Sequence, residues 1–197
     1  MLSILLPSKS ELNLDSFIAE IERILPVHEI VIYNDRQGRG KGYALREAFE
    51  ASKGDCVAFL DGDGEIPARM LLRLLPFIED FDVVCGSKRI THSPLRRKIM
   101  THVTRIWFRF LYGVQVDTQT GIKLFRRSAL KALEGGWEAS GFIFDAEIIA
   151  RLQRKGLKIV EVPIECEIRR QLAFRTIFII FGESLWLWFR LLFLRAR

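Results

Sequence analysis

The chain has 197 residues, 49% of them hydrophobic and only six of them proline, which fits one domain with a full-sized core and argues against disorder. A formal charge of +6 and a pI near 9.5 point to anionic partners: nucleotide phosphates, nucleic acid or acidic lipid headgroups. Three cysteines, Cys56, Cys85 and Cys166, are odd in number and each sits in an apolar strand-like run, so core packing in a reducing compartment is expected rather than a disulfide framework or a metal cluster.

Leu2–Leu6 reads as a short apolar strand. It is too short for a signal peptide and runs straight into Pro7-Ser8-Lys9, so a cytoplasmic catalytic part is expected. Leu12–Leu25 has helical spacing at Leu14, Phe17, Ile18, Ile21 and Leu25. Glu29–Tyr33 is a strand, Tyr43–Ser52 a helix and Asp55–Leu60 a strand. Pro67–Ile78 is a helix opened by proline in its first turn, and Asp82–Gly86 is a strand. Strands alternating with helices imply a parallel α/β sheet with right-handed crossovers, whose ligands lie beyond the carboxyl ends of the strands. That edge collects Pro7–Glu11, Asn34-Asp35, Asp61-Gly62-Asp63 and Gly86-Ser87-Lys88-Arg89.

The most informative segment is Cys56–Glu65, an apolar run ending in two carboxylates one residue apart, Asp61 and Asp63, with Gly62 and Gly64 between and after. A buried strand that delivers Asp-x-Asp to its tip lets carboxylates and backbone approach a hydrated divalent cation and a diphosphate. The same residues also suit an acidic surface turn.

Several motifs in order resemble family 2 glycosyltransferases. Pro7-Ser8-Lys9-Ser10-Glu11 is similar to their Pro-x-x-Asn-Glu, Gly40-Lys41-Gly42-Tyr43-Ala44-Leu45 to Gly-Lys-Gly-x-Ala-Leu, and Asp61-Gly62-Asp63 to Asp-x-Asp. Asp117–Phe125 resembles Asp-x-x-Ser-Gly-Phe-Arg-Leu-Phe, Gly141–Glu147 resembles Gly-Phe-x-Phe-Asp-x-Glu, and Gly156–Ile164 closes the likeness. The branch most resembled is that of dolichyl or polyprenyl phosphate mannosyl- and glucosyltransferases.

The resemblance implies a GT-A (nucleotide-diphospho-sugar transferase-like) fold over residues 1–168, with a mostly parallel sheet flanked by helices. It implies inverting, metal-dependent transfer of a sugar from a nucleoside-diphosphate sugar to a polyprenyl (dolichyl) phosphate. Asp61 and Asp63 would hold Mg²⁺ or Mn²⁺, with Glu65 near the metal shell. Pro7, Glu11, Asp35, Lys41, Asp61, Gly62 and Asp63 would bind the donor; for Lys41 a solvated turn is the competing reading. Lys88 falls where relatives carry a phosphate-binding arginine, and Arg89, Arg97, Arg169 and Arg170 follow in motif order as phosphate or acceptor contacts. Lysine cannot match phosphate bidentately as arginine does, so this is a departure. Asp63, Asp145 and Glu147 are the catalytic candidates. Asp145 and Glu147 equally suit a helix amino terminus, where the dipole favours carboxylates.

A second departure follows Asp35. Relatives have a further strand and helix before the Gly-Lys-Gly loop, whereas here Arg36–Gly40 leads directly into it. The nucleoside pocket is therefore abbreviated, and a degenerate, non-catalytic partner of another transferase is an alternative reading. A sugar nucleotidyltransferase is disfavoured, because Pro7-Ser8-Lys9-Ser10 does not supply a glycine-rich loop after the first strand.

Residues 169–197 form a hydrophobic, amphipathic end. From Gln171 to Arg197 the polar residues Gln171, Arg175, Thr176, Glu183, Arg190 and Arg197 fall within a helical wedge of about 140°. The remaining face either docks in the bilayer interface, which Trp186, Trp188 and the arginines favour, or mates with a second copy of the chain. No uncharged stretch approaches the roughly 20 residues of a span. Arg96–Tyr112, basic and apolar by turns, is a second headgroup candidate or an ordinary amphipathic helix. The expected location is the cytoplasmic face of a membrane, as a peripheral or monotopic protein. Nucleic-acid binding is not expected, since it calls for a clustered basic face with interleaved aromatics. His28, His92 and His102 lack ligand spacing.

Overall fold

The computed structural model describes residues 1–8, 14–25, 28–88, 95–133, 135–141, 143–166 and 174–193. Six strands form one sheet in the order β2-β1-β3-β5-β4-β6. They are β1 (Leu2–Ser8), β2 (His28–Asn34), β3 (Cys56–Leu60), β4 (Val83–Lys88), β5 (Ile122–Arg126) and β6 (Ile159–Ile164). Strand β1 pairs in parallel with β2 and β3, with Leu5 opposite both Val31 and Phe59, and β4 pairs in parallel with β6 from Val83↔Ile159 to Lys88↔Ile164. The sheet is mostly parallel, as expected, with one strand reversed. Strand β5 runs antiparallel between β3 and β4, with Leu60 opposite Ile122 and Cys85 opposite Lys123. Its start therefore lies at the same edge as the tips of the parallel strands, which brings Gly121 and Lys123 to the edge where ligands bind in open α/β sheets.

Alternation along the strands sorts the core into two layers. Leu5, Val57, Phe59, Val83, Cys85 and Phe125 face one way, and Ile4, Leu6, Ala58, Leu60, Val84, Ile122 and Leu124 the other. The first layer is covered by α2 (Lys41–Ala51), by α4 (Leu95–Tyr112) and by α6 (Phe144–Arg154). Trp137 is also fully buried there against Phe59. The second layer is covered by α1 (Leu14–Ile24) and by the segment containing α3 (Leu71–Leu74). The helix expected over Pro67–Ile78 is broken into short turns, with 3₁₀ geometry over Ala68–Met70 and Leu75–Glu79. Pro76 supplies no N–H to an α-helical ladder, so the chain tightens around it. A five-residue helix, α5 (Arg127–Lys131), follows β5 directly.

The passage from β2 to α2 is short. Strand β2 is an outer strand of the sheet, and Ile32 on it is exposed. The chain turns from Asn34 into α2 within six residues, Asp35 to Gly40.

The last helix, α7 (Phe174–Phe193), lies against α4. The Trp107 indole N–H donates to Ser184 Oγ at 2.8 Å, the Tyr112 hydroxyl donates to the Ser184 carbonyl, and the rings of Trp107 and Phe181 stand 5.0 Å apart. Ile180, Leu187 and Leu191 turn inward to the core, while Phe178, Ile179, Leu185, Trp186, Phe189 and Leu192 face out. No helix among the described residues is long and apolar enough to cross a membrane.

Candidate active site

Strand β3 ends at Leu60 because the next residues, Asp61-Gly62-Asp63-Gly64, leave the ladder. Gly64 adopts φ +71, which a residue with a side chain rarely tolerates. Asp61 is held from two sides. Its N–H donates to the Gly121 carbonyl at 2.9 Å, and its carboxylate lies directly over the Gly121 Cα, where an added Cβ would stand 2.2 Å from Asp61 Oδ2. The other oxygen, Oδ1, is 2.5 Å from Lys41 Nζ, and both side chains keep about a third of their surface open. Asp63 turns back on its own loop, accepting the Glu65 N–H at 3.1 Å.

Lys41 is the first residue of α2, and its placement depends on the preceding turn. The Asp35 carboxylate accepts the N–H groups of Arg39 and Gly40 at 2.9 and 2.7 Å, which holds the short loop and sets the entry angle of the helix. Gly40 and Gly42 then sit against the backbone of Ser140 and Ala139, so closely that a Cβ at either would fall 2.3 Å from a carbonyl oxygen. Burial disfavours the Lys41 ammonium, but the surrounding carboxylates of Asp61, Asp145 and Asp63 outweigh it and hold the lysine above its ordinary pKa.

Asp145 opens α6, and its Oδ1 is 2.6 Å from Lys123 Nζ. The Lys123 side chain is buried, and its ammonium also donates to the Thr120 carbonyl at 2.6 Å. Glu147, two residues on, serves a different purpose. Its carboxylate accepts the N–H of Glu138 and of Ala139, the latter at 2.7 Å, and pairs with Arg151 at 3.0 Å. It therefore anchors the segment that packs on α2, and the Trp137 indole locks the same contact by donating to the Gly42 carbonyl at 2.7 Å.

Of the residues singled out in the sequence, Asp61, Asp63, Lys41 and Asp145 come together, with Gly62 buried among them. Asp35 and Glu147 are near, but their carboxylates are engaged with backbone amides. Pro7 lies on β1 opposite Tyr33, and Lys88 is half-buried at the tip of β4 beside Ile164. Glu11, Arg89, Arg169, Arg170 and the Arg97 side chain lie outside the described residues. No three His, Cys, Asp or Glu side chains among the described residues converge as a ready-made metal cage, so Asp61, Asp63 and Glu65 do not form one. The donor set still suits a divalent ion. Asp61 already holds a positive charge, its ligands are hard carboxylate oxygens, and a diphosphate supplies the remaining oxygens of such a site.

Sequence reasoning missed Gly121 and Lys123. Both fall inside a quoted motif, and the signal was a lone lysine inside the apolar run Ile122-Lys123-Leu124-Phe125. Just before them, Thr120 Oγ1 and Gln119 Nε2 are buried without a hydrogen-bond partner among the described residues, a rare condition for native polar groups.

Comparison with known proteins follows the same lines. The model of glycosyl transferase family 2 matches residues 12–134. The glycosyltransferase AglD of Haloferax volcanii is 32% identical over 160 residues, which cover 78% of this chain and 25% of that protein. The dolichyl-phosphate beta-glucosyltransferase of Saccharomyces cerevisiae is 30% identical over 148 residues, covering 65% of this chain and 44% of that one. The chain thus spans a quarter to under half of the length of these relatives. Among solved structures, glucosyl-3-phosphoglycerate synthase from Mycobacterium tuberculosis, crystallised with Mn²⁺, uridine-diphosphate-glucose and phosphoglyceric acid, superposes with a TM-score of 0.70 at 19% identity. The match covers 89% of this chain and 74% of that one, a likeness of fold.

Proposed function

Because the chain belongs to glycosyl transferase family 2 and has its GT-A fold, we propose that it transfers a sugar, with inversion, from a nucleoside-diphosphate sugar to a polyprenyl phosphate or similar lipid acceptor. The observation that carries this reading is the meeting of Asp61, Asp63, Asp145 and Lys41 at the tip of β3. Asp61 and Asp63 would hold Mg²⁺ or Mn²⁺, which when bound supplies positive charge to the departing nucleoside diphosphate. Lys41, on a flexible stem beside them, is within its own reach of the same anion. Lys88 offers a further point charge at the tip of β4, which β5 separates from β3. Asp145, paired with Lys123, would face the acceptor, and Glu147 would act by anchoring the segment around Glu138 and Ala139. A lipid phosphate is already an anion at neutral pH, so no strong general base is required and positioning supplies most of the rate.

The apolar faces of α4 and α7 support docking on a membrane surface, expected to be the cytoplasmic face. Ile99, Val103, Ile106 and Phe110 recur along one side of α4 and are exposed, Phe110 at 80%. On α7, which packs against α4, Phe178 is 77% and Trp186 54% accessible, and on α4 Arg109 is exposed while Arg105 pairs with Glu161 at 2.6 Å. Such a face with basic borders matches an anionic headgroup layer.

The test is to incubate membranes containing the full chain with a panel of labelled sugar nucleotides and follow which label enters the organic phase. Asp63→Asn should nearly abolish the transfer at saturating donor with the melting temperature unchanged; an unchanged rate overturns the metal role. One observation favours a second reading, a non-catalytic partner of another transferase: the Asp35 carboxylate is occupied by Arg39 and Gly40 rather than open to a nucleoside. Calorimetry with Mn²⁺ and nucleotides separates the two, since a scaffold has no coupled binding.

A further inference from the structure

Lys41 stands where a bound cation would compete with it. Its ammonium is 2.5 Å from Asp61 Oδ1, beside Asp63 and Asp145. The two partners differ in freedom. Asp61 cannot withdraw, because its backbone is bonded to Gly121 and its second carboxylate oxygen is pressed against the Gly121 Cα. Lys41 can withdraw, because four rotatable bonds separate its ammonium from α2 and about a third of the side chain is open to solvent.

We infer that Lys41 is a displaceable internal counter-ion of the acidic cluster, which makes binding of a divalent ion at Asp61 depend on simultaneous binding of a nucleoside diphosphate. The inference rests on the metal-dependent reading above and adds a coupling to it. An ion arriving alone meets the lysine charge a few ångströms away in a partly buried site and must expel it into water without a new partner. A diphosphate arriving with the ion gives the ammonium an anion to move to, so the lysine leaves Asp61 and contributes to holding the donor. Energetically the two ligands then share one coupling free energy, and each raises the affinity of the other by the same factor. In the nucleotide-free protein Lys41 compensates Asp61 directly while Lys123 compensates Asp145.

The test measures Mn²⁺ binding by electron paramagnetic resonance on the full chain in detergent, with Mn²⁺ alone and with uridine or guanosine diphosphate added. The wild type is expected to bind Mn²⁺ at least about tenfold more tightly once the matching nucleotide is present, within the usual range of coupling. Lys41→Gln is expected to bind bare Mn²⁺ about tenfold more tightly than the wild type and to lose most of the nucleotide effect, whereas Lys41→Arg, which keeps the charge, stays near the wild type on bare Mn²⁺. Melting curves verify that each variant is folded, and Lys41→Met, of similar length and without the charge, carries the same expectation should Lys41→Gln fail to fold. Equal bare-ion affinity in Lys41→Gln and wild type, or a wild-type affinity indifferent to nucleotide, overturns the counter-ion role while leaving the metal site standing. Absence of Mn²⁺ binding under every condition overturns the metal-dependent reading and this inference together.

Discussion

Lys123 and Asp145 form an ion pair at 2.6 Å in which the lysine side chain is 2% and the aspartate side chain 10% exposed. The pair ties the start of the antiparallel strand β5 to the start of α6, and so links the floor of the acidic cluster to the loop that Glu147 anchors. Buried charges cost more to strip of water than surface ones, and here the ammonium is further satisfied by the Thr120 carbonyl. The arrangement fixes one rotamer of Asp145 beside Lys41.

Removing one partner of this pair leaves the other charge buried. Lys123→Met is expected to destabilise the fold by about 3–5 kcal/mol, lowering Tm by on the order of 10 °C. The double variant Lys123→Met with Asp145→Asn should regain most of that loss. A single variant melting within a degree or two of the wild type would mean that the pair does not brace the fold.

Gly121 is the seat of Asp61, and its replacement tests whether the carboxylate must lie there. With a Cβ placed 2.2 Å from Asp61 Oδ2, Gly121→Ala must push the carboxylate aside. Displacements of about 1 Å in a reacting constellation cost up to about a hundredfold in rate, so transfer should fall by one to two orders of magnitude. Gly182→Ala, where nothing lies within 4 Å of the added carbon, is the matched control and should retain activity.

Alkaline stability reports on the core. Burial pushes the Cys85 thiol up to about 12, with Lys123 pulling weakly the other way, whereas in the unfolded chain it ionises near the ordinary 9.0. The folded state therefore keeps a proton that the unfolded state loses. The contribution is complete below pH 9 and declines as pH rises toward 12, at up to about 1.4 kcal/mol per pH unit for one thiol. The buried Tyr112 hydroxyl is also shifted upward, chiefly by burial, and adds to the decline in the alkaline range. Urea midpoints between pH 8 and 10.5 should fall, and iodoacetamide at pH 8 should leave Cys85 unlabelled until urea is added. Rapid labelling of native Cys85 contradicts this.

The outer row of α7 provides a fourth test. The triple variant Phe178→Ser, Trp186→Ser, Phe189→Ser removes three exposed aromatic side chains with no role in the core. Flotation with vesicles containing anionic lipid should weaken by roughly tenfold for each aromatic removed. If the wild type does not float but sediments as a dimer that the triple variant abolishes, the face joins two copies of the chain.

Much of this architecture is legible in the order of residues, and the reasons differ by element. The strands β1, β2, β3 and β4 were readable because short apolar runs are bounded by glycine, proline or acidic residues, and their tips carry the motifs. Strand β5 was not read as a strand, since a parallel alternation gives no hint that a five-residue segment inserts with reversed direction. Lys123 escaped notice for a related reason: a lysine in an apolar run has meaning only when its partner, 22 positions away in Asp145, is known to face it. Asp35 was singled out for donor binding and Glu147 for catalysis, whereas the engagement of both carboxylates with backbone amides depends on loop paths that residue type does not encode.

Residue order alone determined the chemistry available to this protein: an acidic strand tip, a lysine between glycines and an amphipathic end, because local patterning sets which side chains sit at strand ends and on helix faces. Only the tertiary structure decided which of those charges meet. Asp61 pairs with Lys41 and Asp145 with Lys123 because β5 runs backwards between β3 and β4 and the 136–141 segment seats on α2, contacts between residues far apart in the chain that are settled by packing and by the need to compensate every buried charge.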